Sequence, residues 1–428
     1  MAIRLYQVIF LFLLLAVGCR KNDGPNDPGA AVFTINVDNE VHVLQAQYAI
    51  FLSDKNGQTR AFRWIPGNDT AQVAVPGSEP TDRFDCTVVK IEPFLAPGTG
   101  VRDTTVSLTT YTNLYNGANI HLHDANFLQS TDLFLKFTGI SSVDSIVVPQ
   151  GLTFAFPQSA NNFEGHYRVL HTGRIWFRVR VNGESNWRYA FFENANNANF
   201  TVTVDLVDLP ELPAGAATLS LPLLTDWDFE LDRVIDLQKK EFLALGGNLR
   251  IPGGPIPVFD QLNVFEPPGL SQNNGYRLRI SGFDPNPGGY GYVCDKFFQN
   301  LPAGLQSPNF DILTASVADG RWVSIQCSGF IDLLSFTRRY TGAVEISWEA
   351  LVASSNSGAV NYRLPNVPAE LGNLYPVLKN YAFDPGVEVR AEGYDKLNAY
   401  PEVIARMMLK DNPLWQMDAG YFGKIRKF

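Results

Sequence analysis

Short apolar runs, bounded by glycine, proline, asparagine or aspartate, recur along almost the whole chain and limit its fold more than any other feature. Many of them alternate apolar and polar residues, which is the period of a strand with one buried face. Asn56-Gly57 and Asn182-Gly183 stand between such runs, and Asn-Gly is a strong signal for a tight hairpin turn. The clearest predicted strands are Val32–Val37, Tyr48–Leu52, Thr105–Thr109, Asp132–Phe137, Ile175–Val181, Phe200–Leu206, Tyr276–Ile280, Trp322–Cys327 and Ala343–Trp348.

Helical periodicity is scarce by comparison. Leu237–Leu245, which ends at two glycines, predicts one short helix. Pro401–Lys410 predicts another, because proline suits the first turn of a helix and the apolar residues that follow it share one face. The sequence therefore predicts an all-β protein with few short helices.

Two stretches share an order of features that indicates modular construction. An apolar strand, an Asn-Gly turn and an aromatic strand occur at Tyr48–Trp64 and again at Ile175–Phe191. Two explanations of this likeness are open: duplication of a module, or the strand-type composition that both stretches share. Units of this size fit immunoglobulin-like β-sandwiches, which have about 100 residues. We expect tandem sandwiches at residues 31–150 and 151–260, followed by one or more β-rich C-terminal domains at 261–428 with a helix near 401–410.

The N-terminus predicts export from the cell. Arg4 precedes an apolar run from Leu5 to Val17, which is broken only by Gln7 and is followed by Gly18-Cys19. A transmembrane helix needs ~20 residues, so we interpret residues 1–18 as a signal peptide. An ordinary signal peptide that happens to end in cysteine, or an uncleaved anchor helix, is the alternative.

The segment Leu15-Ala16-Val17-Gly18-Cys19 resembles the lipobox of bacterial lipoproteins. In that family the signal is cut before the cysteine, whose thiol carries lipid, so the resemblance implies lipid attachment at Cys19. Residues 19–30 contain no large apolar side chain and are rich in Gly, Pro, Asn and Asp, which predicts a flexible tether.

A lipobox followed by a polar tether and β modules is similar to surface lipoproteins of Bacteroidetes-type bacteria. This resemblance implies a protein of the cell envelope, bound to a membrane through its lipid. Arg20, rather than aspartate, follows Cys19 and favours the outer membrane.

Charge excludes one class of partner. The formal net charge is −9, and the chain has no long run of lysine and arginine. An acidic surface without such a run argues against nucleic acid as a partner. The short basic segment Lys424–Lys427 is interpreted as a solvated end.

Three cysteines remain after Cys19 is assigned to lipid. Export to an oxidising compartment allows Cys294 and Cys327 to form a disulfide, and Cys86 would then have no cysteine with which to pair. The alternative is that all three are buried thiols, since cysteine is among the most buried residue types. Their spacings match no metal or redox motif.

Two clusters of polar residues raise the question of a metal. His121 and His123 alternate on one predicted strand, so their imidazoles share a face, as two zinc ligands would. Asp226, Asp228, Glu230 and Asp232 alternate in the same way and offer oxygen ligands of the kind that calcium prefers. A solvated strand face is the simpler interpretation of both patterns, and we predict no metal and no cofactor.

Aromatic residues make up 12% of the chain. On an exposed sheet face they can stack against sugar rings, whereas in a sandwich they more commonly fill the core. The tryptophans that raise this choice are Trp64, Trp176, Trp187, Trp227, Trp322 and Trp348.

No catalytic motif is present, whether a nucleophile elbow, a Walker loop, a dinucleotide loop or an SxxK motif. We therefore expect a binding or structural module at the bacterial surface, with a glycan or a protein as its ligand and no catalytic residues. The alternative is an exported hydrolase of polysaccharide or protein, which would need carboxylates that converge in a pocket.

Overall fold

The structure is a computed structural model of the chain. It describes residues 33–39, 46–67, 69–95, 102–122, 130–138, 143–147, 151–155, 158–159, 162–170, 174–181, 183–193, 199–205, 207–212, 217–236, 241–247, 259–267, 274–284, 289–305, 307–342, 344–354, 358–397, 399–407 and 420–428.

Strands make up most of the described part of the chain, which confirms the all-β prediction. The strands are β1 (Phe33–Asn39), β2 (Gln47–Ser53), β3 (Thr59–Ile65), β4 (Asp69–Val75), β5 (Phe84–Leu95), β6 (Arg102–Leu114), β7 (Ala118–Leu122), β8 (Ser130–Thr138), β9 (Val143–Val147), β10 (Gly151–Ala155), β11 (Gln158–Ser159), β12 (Asn162–Leu170), β13 (Arg174–Val181), β14 (Arg188–Glu193), β15 (Asn199–Asp205), β16 (Ala217–Asp236), β17 (Glu241–Gly247), β18 (Phe259–Val264), β19 (Tyr276–Phe283), β20 (Gly291–Phe298), β21 (Asp311–Ala318), β22 (Trp322–Ser328), β23 (Leu333–Tyr340), β24 (Val344–Val352), β25 (Ala359–Arg363), β26 (Glu388–Tyr394) and β27 (Tyr421–Lys427). The helices among the described residues are α1 (Ala369–Leu374), α2 (Pro376–Asn380) and α3 (Tyr400–Met407).

A 13-stranded sheet forms the centre of the molecule. Its order is β17-β16-β19-β20-β27-β26-β23-β24-β6-β5-β2-β3, and β18 pairs with β16 beside this path. The other sheets are β4-β1-β7, β21-β22-β25, β14-β13-β9, and a sheet of β10, β12, β8 and β15 to which β11 is added.

The central sheet is covered on both faces, and β2 shows why its sequence is apolar without alternation. Ala49 and Phe51 point into one core, whereas Ile50 and Leu52 point into another, and all four are fully buried. A strand with apolar layers on both sides has no solvated face, so polar residues are excluded from both sets of positions.

Each face has its own covering layer. On one face, β21, β22, β25, α1 and α2 enclose a core that contains Trp348 and Phe336. On the other face, β1, β4, β7 and α3 enclose a core that contains Phe33 and Ile35. These are face-to-face sandwich layers, and a third core lies around β16, β19 and β20.

The two helix predictions have different outcomes. The helix predicted at 401–410 is confirmed as α3, whose Val403 and Ile404 are buried, and residues 408–410 lie outside the described ones. The helix predicted at Leu237–Leu245 is wrong over residues 241–245, where β17 pairs with β16, and residues 237–240 lie outside the described ones. Leu243 and Leu245 fill the third core from this strand, so two-residue alternation overrides the apparent helical pattern.

The sheets do not follow the chain in consecutive blocks. The parallel pairing of β6 with β24 places Thr104 beside Val344, so the first and last parts of the chain share one sheet. Strands β8 and β9 pair with β12 and β13, on the other side of the joint predicted near residue 150. The joints near 150 and 260 stay predictions.

Buried hydrogen bonds tie α3 to this shared sheet. The Tyr400 hydroxyl accepts from the Thr112 backbone N–H at 2.8 Å and donates to the Leu351 carbonyl oxygen at 2.8 Å. Thr112 lies on β6 and Leu351 on β24, so one phenol bridges the helix and both parallel strands.

We predict that Tyr400→Phe lowers the free energy of unfolding by about 1–3 kcal/mol, because buried partners lose their hydrogen bonds. Urea unfolding measures this loss. Tyr115→Phe is the control, since Tyr115 is 51% exposed and should change stability little. Equal effects of the two substitutions would contradict the bridging role of Tyr400.

Candidate functional site

The sheet β21-β22-β25 has one buried and one exposed face. Ile312, Val323 and Ile325 point inward and are almost fully buried. The residues that alternate with them point away from the central sheet. We call this exposed side the Trp322 face and define it by Thr314, Ser316, Trp322, Ser324, Gln326, Asn361 and Arg363.

The Trp322 face carries hydroxyl and amide groups along its length. Thr314 pairs across the strands with Gln326, and Ser316 pairs with Ser324. Ser324 pairs in turn with Asn361, and its hydroxyl donates to the Asn361 side-chain oxygen, which leaves the amide nitrogen of Asn361 for another acceptor. With about 3.3 Å per residue and 4.8 Å per strand, the Cα positions of the face span roughly 13 Å by 10 Å.

Trp322 stands at one end of this face and is 46% exposed. The Arg363 guanidinium carbon lies 5.6 Å from the centre of the Trp322 ring, on the neighbouring strand. A guanidinium at this distance from an indole ring is held by cation–π attraction. The ring is therefore supported from the β25 side while much of its surface remains open to solvent.

The turn before Trp322 is fixed by tight packing. Gly320 has φ +65°, and a Cβ at this position would lie 2.7 Å from the Tyr381 carbonyl oxygen. Arg321 stacks on the Tyr381 ring at 4.5 Å and donates to the Leu364 carbonyl oxygen at 2.9 Å. These contacts fix where β22 begins and hence where Trp322 emerges.

The other predicted tryptophans divide between core and surface. Trp176 and Trp348 are fully buried, whereas Trp64 is 38% exposed on the edge strand β3. Trp187 is half-buried and packs against the Arg178 guanidinium at 4.8 Å. The side chain of Trp227 lies outside the described residues.

The row of acidic residues on β16 is not simply a solvated face. Asp232 is 5% exposed, and Glu230 forms an ion pair with Arg279 of β19. Burial raises the pKa of Asp232 to about 8; the charge of Glu230 adds to this rise, whereas Arg279 and Arg277 oppose it. The interpretation of a solvated face is therefore wrong for Asp232, and the side chains of Asp226 and Asp228 lie outside the described residues.

The predicted histidine pair is only partly described. The His121 Nδ1 atom lies 3.4 Å from a carboxylate oxygen of Asp38 on β1, and His123 lies outside the described residues. Within the described ranges, no group of three or more His, Cys, Asp or Glu side chains is placed to hold a metal ion.

The structure does not form the disulfide considered between Cys294 and Cys327. Cys86, Cys294 and Cys327 are buried free thiols, and each belongs to a different core. Burial raises the pKa of Cys294 to about 12 and that of Cys327 to about 11, which keeps both protonated. Cys19, the predicted lipid attachment site, lies outside the described residues.

Sequence reasoning found Trp322 but missed its neighbours. The alternation of Trp322, Ser324 and Gln326 with Val323, Ile325 and Cys327 is legible in the sequence and predicts one polar and one apolar face. Asn361 and Arg363 carry no such signal, because they join the face through strand pairing across a long connection.

No family model matches the chain, and no curated protein matches it. Among solved structures, the chain is similar to the tip fimbrial protein Mfa3 of Porphyromonas gingivalis, with 9% identity over 39% of this chain and 83% of that chain and a TM-score of 0.15. It is also similar to a protein described as an adhesin from Bacteroides ovatus ATCC 8483, with 11% identity over 46% and 98% of the two chains and a TM-score of 0.18. A Streptococcal ancillary pilin matches with 9% identity over 61% and 95% and a TM-score of 0.13. TM-scores this low carry no argument about fold or function.

In the part of the chain that the structure describes, no helix has both the length and the apolar composition that spanning a membrane requires.

We predict that Asp232→Asn makes stability less dependent on pH. The pKa of Asp232 is raised to about 8 in the folded protein and is about 3.9 in an unfolded chain. At a pH between these two pKa values, the folded state binds the Asp232 proton and the unfolded state does not. The contribution of Asp232 to the free energy of unfolding therefore falls as the pH rises.

Urea unfolding at pH 5, 6, 7 and 8 tests this expectation. The free energy of unfolding of the variant, relative to the unsubstituted protein, should increase with pH over this range. Asp208→Asn changes an exposed carboxylate and is the control. A difference that stays constant with pH would contradict the burial of a protonated Asp232.

Proposed function

We propose that the protein is a lipid-anchored binding module of the bacterial cell envelope, and that its Trp322 face binds a glycan. The observation that carries this proposal is the face itself, where an exposed indole ring stands at the end of three strands that carry hydroxyl and amide side chains. A pyranose ring presents an apolar C–H face for stacking and hydroxyl groups for hydrogen bonds.

The chemistry of the face favours a sugar over an apolar partner. The exposed positions of β21, β22 and β25 include Ser, Thr, Gln and Asn side chains together with Trp322, Leu313 and two alanines at strand ends. The centre of a protein–protein interface is instead enriched in several aromatic residues, methionine and arginine. A protein ligand is the alternative occupant of this face.

The anchor is the second part of the proposal. Residues 1–18 act as the signal peptide, Cys19 carries lipid, and residues 19–30 are the tether. Multiple acyl chains on one cysteine give stable membrane attachment. This arrangement holds the β layers at the membrane, with the outer membrane as the proposed location.

We predict that Trp322→Ala weakens retention on a bound polysaccharide by at least about tenfold, because aromatic residues that stack on a ligand dominate binding energy. Affinity electrophoresis of the full chain through gels that contain polysaccharide measures this change. Trp64→Ala is the matched control, since Trp64 is 38% exposed but lies on β3, outside the Trp322 face. The proposal fails if both substitutions weaken retention equally.

We predict that the mature protein begins at Cys19 and carries diacylglycerol. Mass spectrometry of protein extracted from membranes checks both points, and Cys19→Ser should abolish the lipid mass. Detection of an unmodified residue that precedes position 19 in the mature protein would refute the anchor.

A further inference from the structure

We infer that the sugar bound next to Trp322 is anionic, with a carboxylate or sulfate group held by Arg363. This inference rests on the proposed function, since it requires that the Trp322 face binds a glycan. It adds the chemical class of the ligand, which a stacked tryptophan alone leaves open.

Arg363 has no acidic partner among the described residues. Its Nη1 atom donates to the backbone carbonyl oxygen of Asn56 at 3.4 Å, and its Nε atom is buried without a hydrogen-bond partner. A guanidinium has five N–H donors in a planar fork that fits a carboxylate or a sulfate. Because Nε is buried and Nη1 already donates to Asn56, the N–H groups that remain for a ligand are those of the two Nη atoms that point away from Asn56.

Some arginines on the sheets of this protein have carboxylate partners, whereas others, such as Arg338 and Arg426, donate to backbone carbonyl oxygens. Arg277 donates to both oxygens of Asp295 at 3.0 and 2.8 Å, and Arg188 does the same with Glu184 at 3.0 Å. In a chain with a net charge of −9, acidic groups are plentiful. Arg363 also has no carboxylate partner among the described residues, and it stands beside Trp322, which is exposed.

A second guanidinium adds positive charge at the same place. Arg321 precedes Trp322 directly and donates to the Leu364 carbonyl oxygen, next to Arg363. Neither arginine has a carboxylate within ion-pair distance in the described part of the chain. The repulsion between two such cations is relieved when an anion binds between or above them.

The positions of ring and charge suit a single acidic sugar. Because the Arg363 guanidinium lies 5.6 Å from the centre of the Trp322 ring, an acidic sugar that contacts the exposed part of that ring lies near the guanidinium. The rest of the glycan extends toward Gln326 and Asn361, whose neutral side chains supply hydrogen bonds to sugar hydroxyl groups. The positive charge of Arg363 determines which sugar binds at this end, and the neutral side chains bind the rest of the glycan.

The test uses the full chain purified in detergent and two matched pairs of polysaccharides. Polygalacturonate is compared with its fully methyl-esterified form, and dextran sulfate is compared with dextran. Each pair keeps its backbone and differs only in negative charge, so the two pairs distinguish carboxylate from sulfate. Affinity electrophoresis gives the dissociation constants.

Arg363→Gln should weaken binding of the acidic member of a pair by about 10-fold to 100-fold, as expected for loss of a charge-assisted hydrogen bond. Binding of the neutral member should change less than about twofold. Arg363→Lys keeps the charge without the planar fork and should restore part of the affinity. Arg63→Gln is the control, because Arg63 is an exposed arginine that contacts the Gln72 carbonyl oxygen on β4. Circular dichroism of each variant confirms that it is folded.

The outcomes separate this inference from the proposed function. Preferential binding of an acidic polysaccharide that Arg363→Gln removes and Arg63→Gln preserves supports the inference. Equal binding of acidic and neutral forms that still depends on Trp322 overturns the inference and leaves the proposed function intact. If no polysaccharide of either pair binds, both are overturned, and a protein ligand becomes the occupant to test.

Discussion

The burial of the central sheet on both faces is the constraint on which the rest of the structure depends. Strand β2 supplies apolar side chains alternately to two cores, and its neighbour β5 does the same with Val88 and Val89. A sheet without a solvated face must be covered by further layers. The layers β4-β1-β7 and β21-β22-β25 meet this requirement on opposite sides, and each has an outer surface of its own.

Polar contacts inside the sheet fix how its parts align. The Trp348 indole nitrogen on β24 donates to the Thr110 hydroxyl oxygen on β6 at 2.9 Å, and Thr110 in turn contacts the Thr87 hydroxyl on β5 at 2.8 Å. These buried hydrogen bonds span three adjacent strands. They determine the alignment of the parallel β6–β24 pair, which joins distant parts of the chain, and so position the layer that carries the Trp322 face.

Local periodicity made the all-β class and helix α3 predictable, because both depend on residues close together in the sequence. The strand β22 could be predicted together with its two faces for the same reason. By contrast, the strand β17 was mistaken for a helix, since a short apolar run fits both periods until its pairing partner is known. Cys294 and Cys327 could not be assigned from sequence, because which core each enters depends on long-range pairing. The position of Arg363 could not be predicted from the sequence for a related reason. Arg363 lies beside Trp322 only because β25 pairs with β22.

The central claim is that ligand binds on the outer surface of β21-β22-β25. Hydroxyl-radical footprinting with mass spectrometry tests it most directly, because Trp322 and Trp64 are both exposed and both react with the radical. With polygalacturonate present, we predict slower oxidation of Trp322 and an unchanged rate at Trp64. Protection of Trp64 with no change at Trp322 would contradict it.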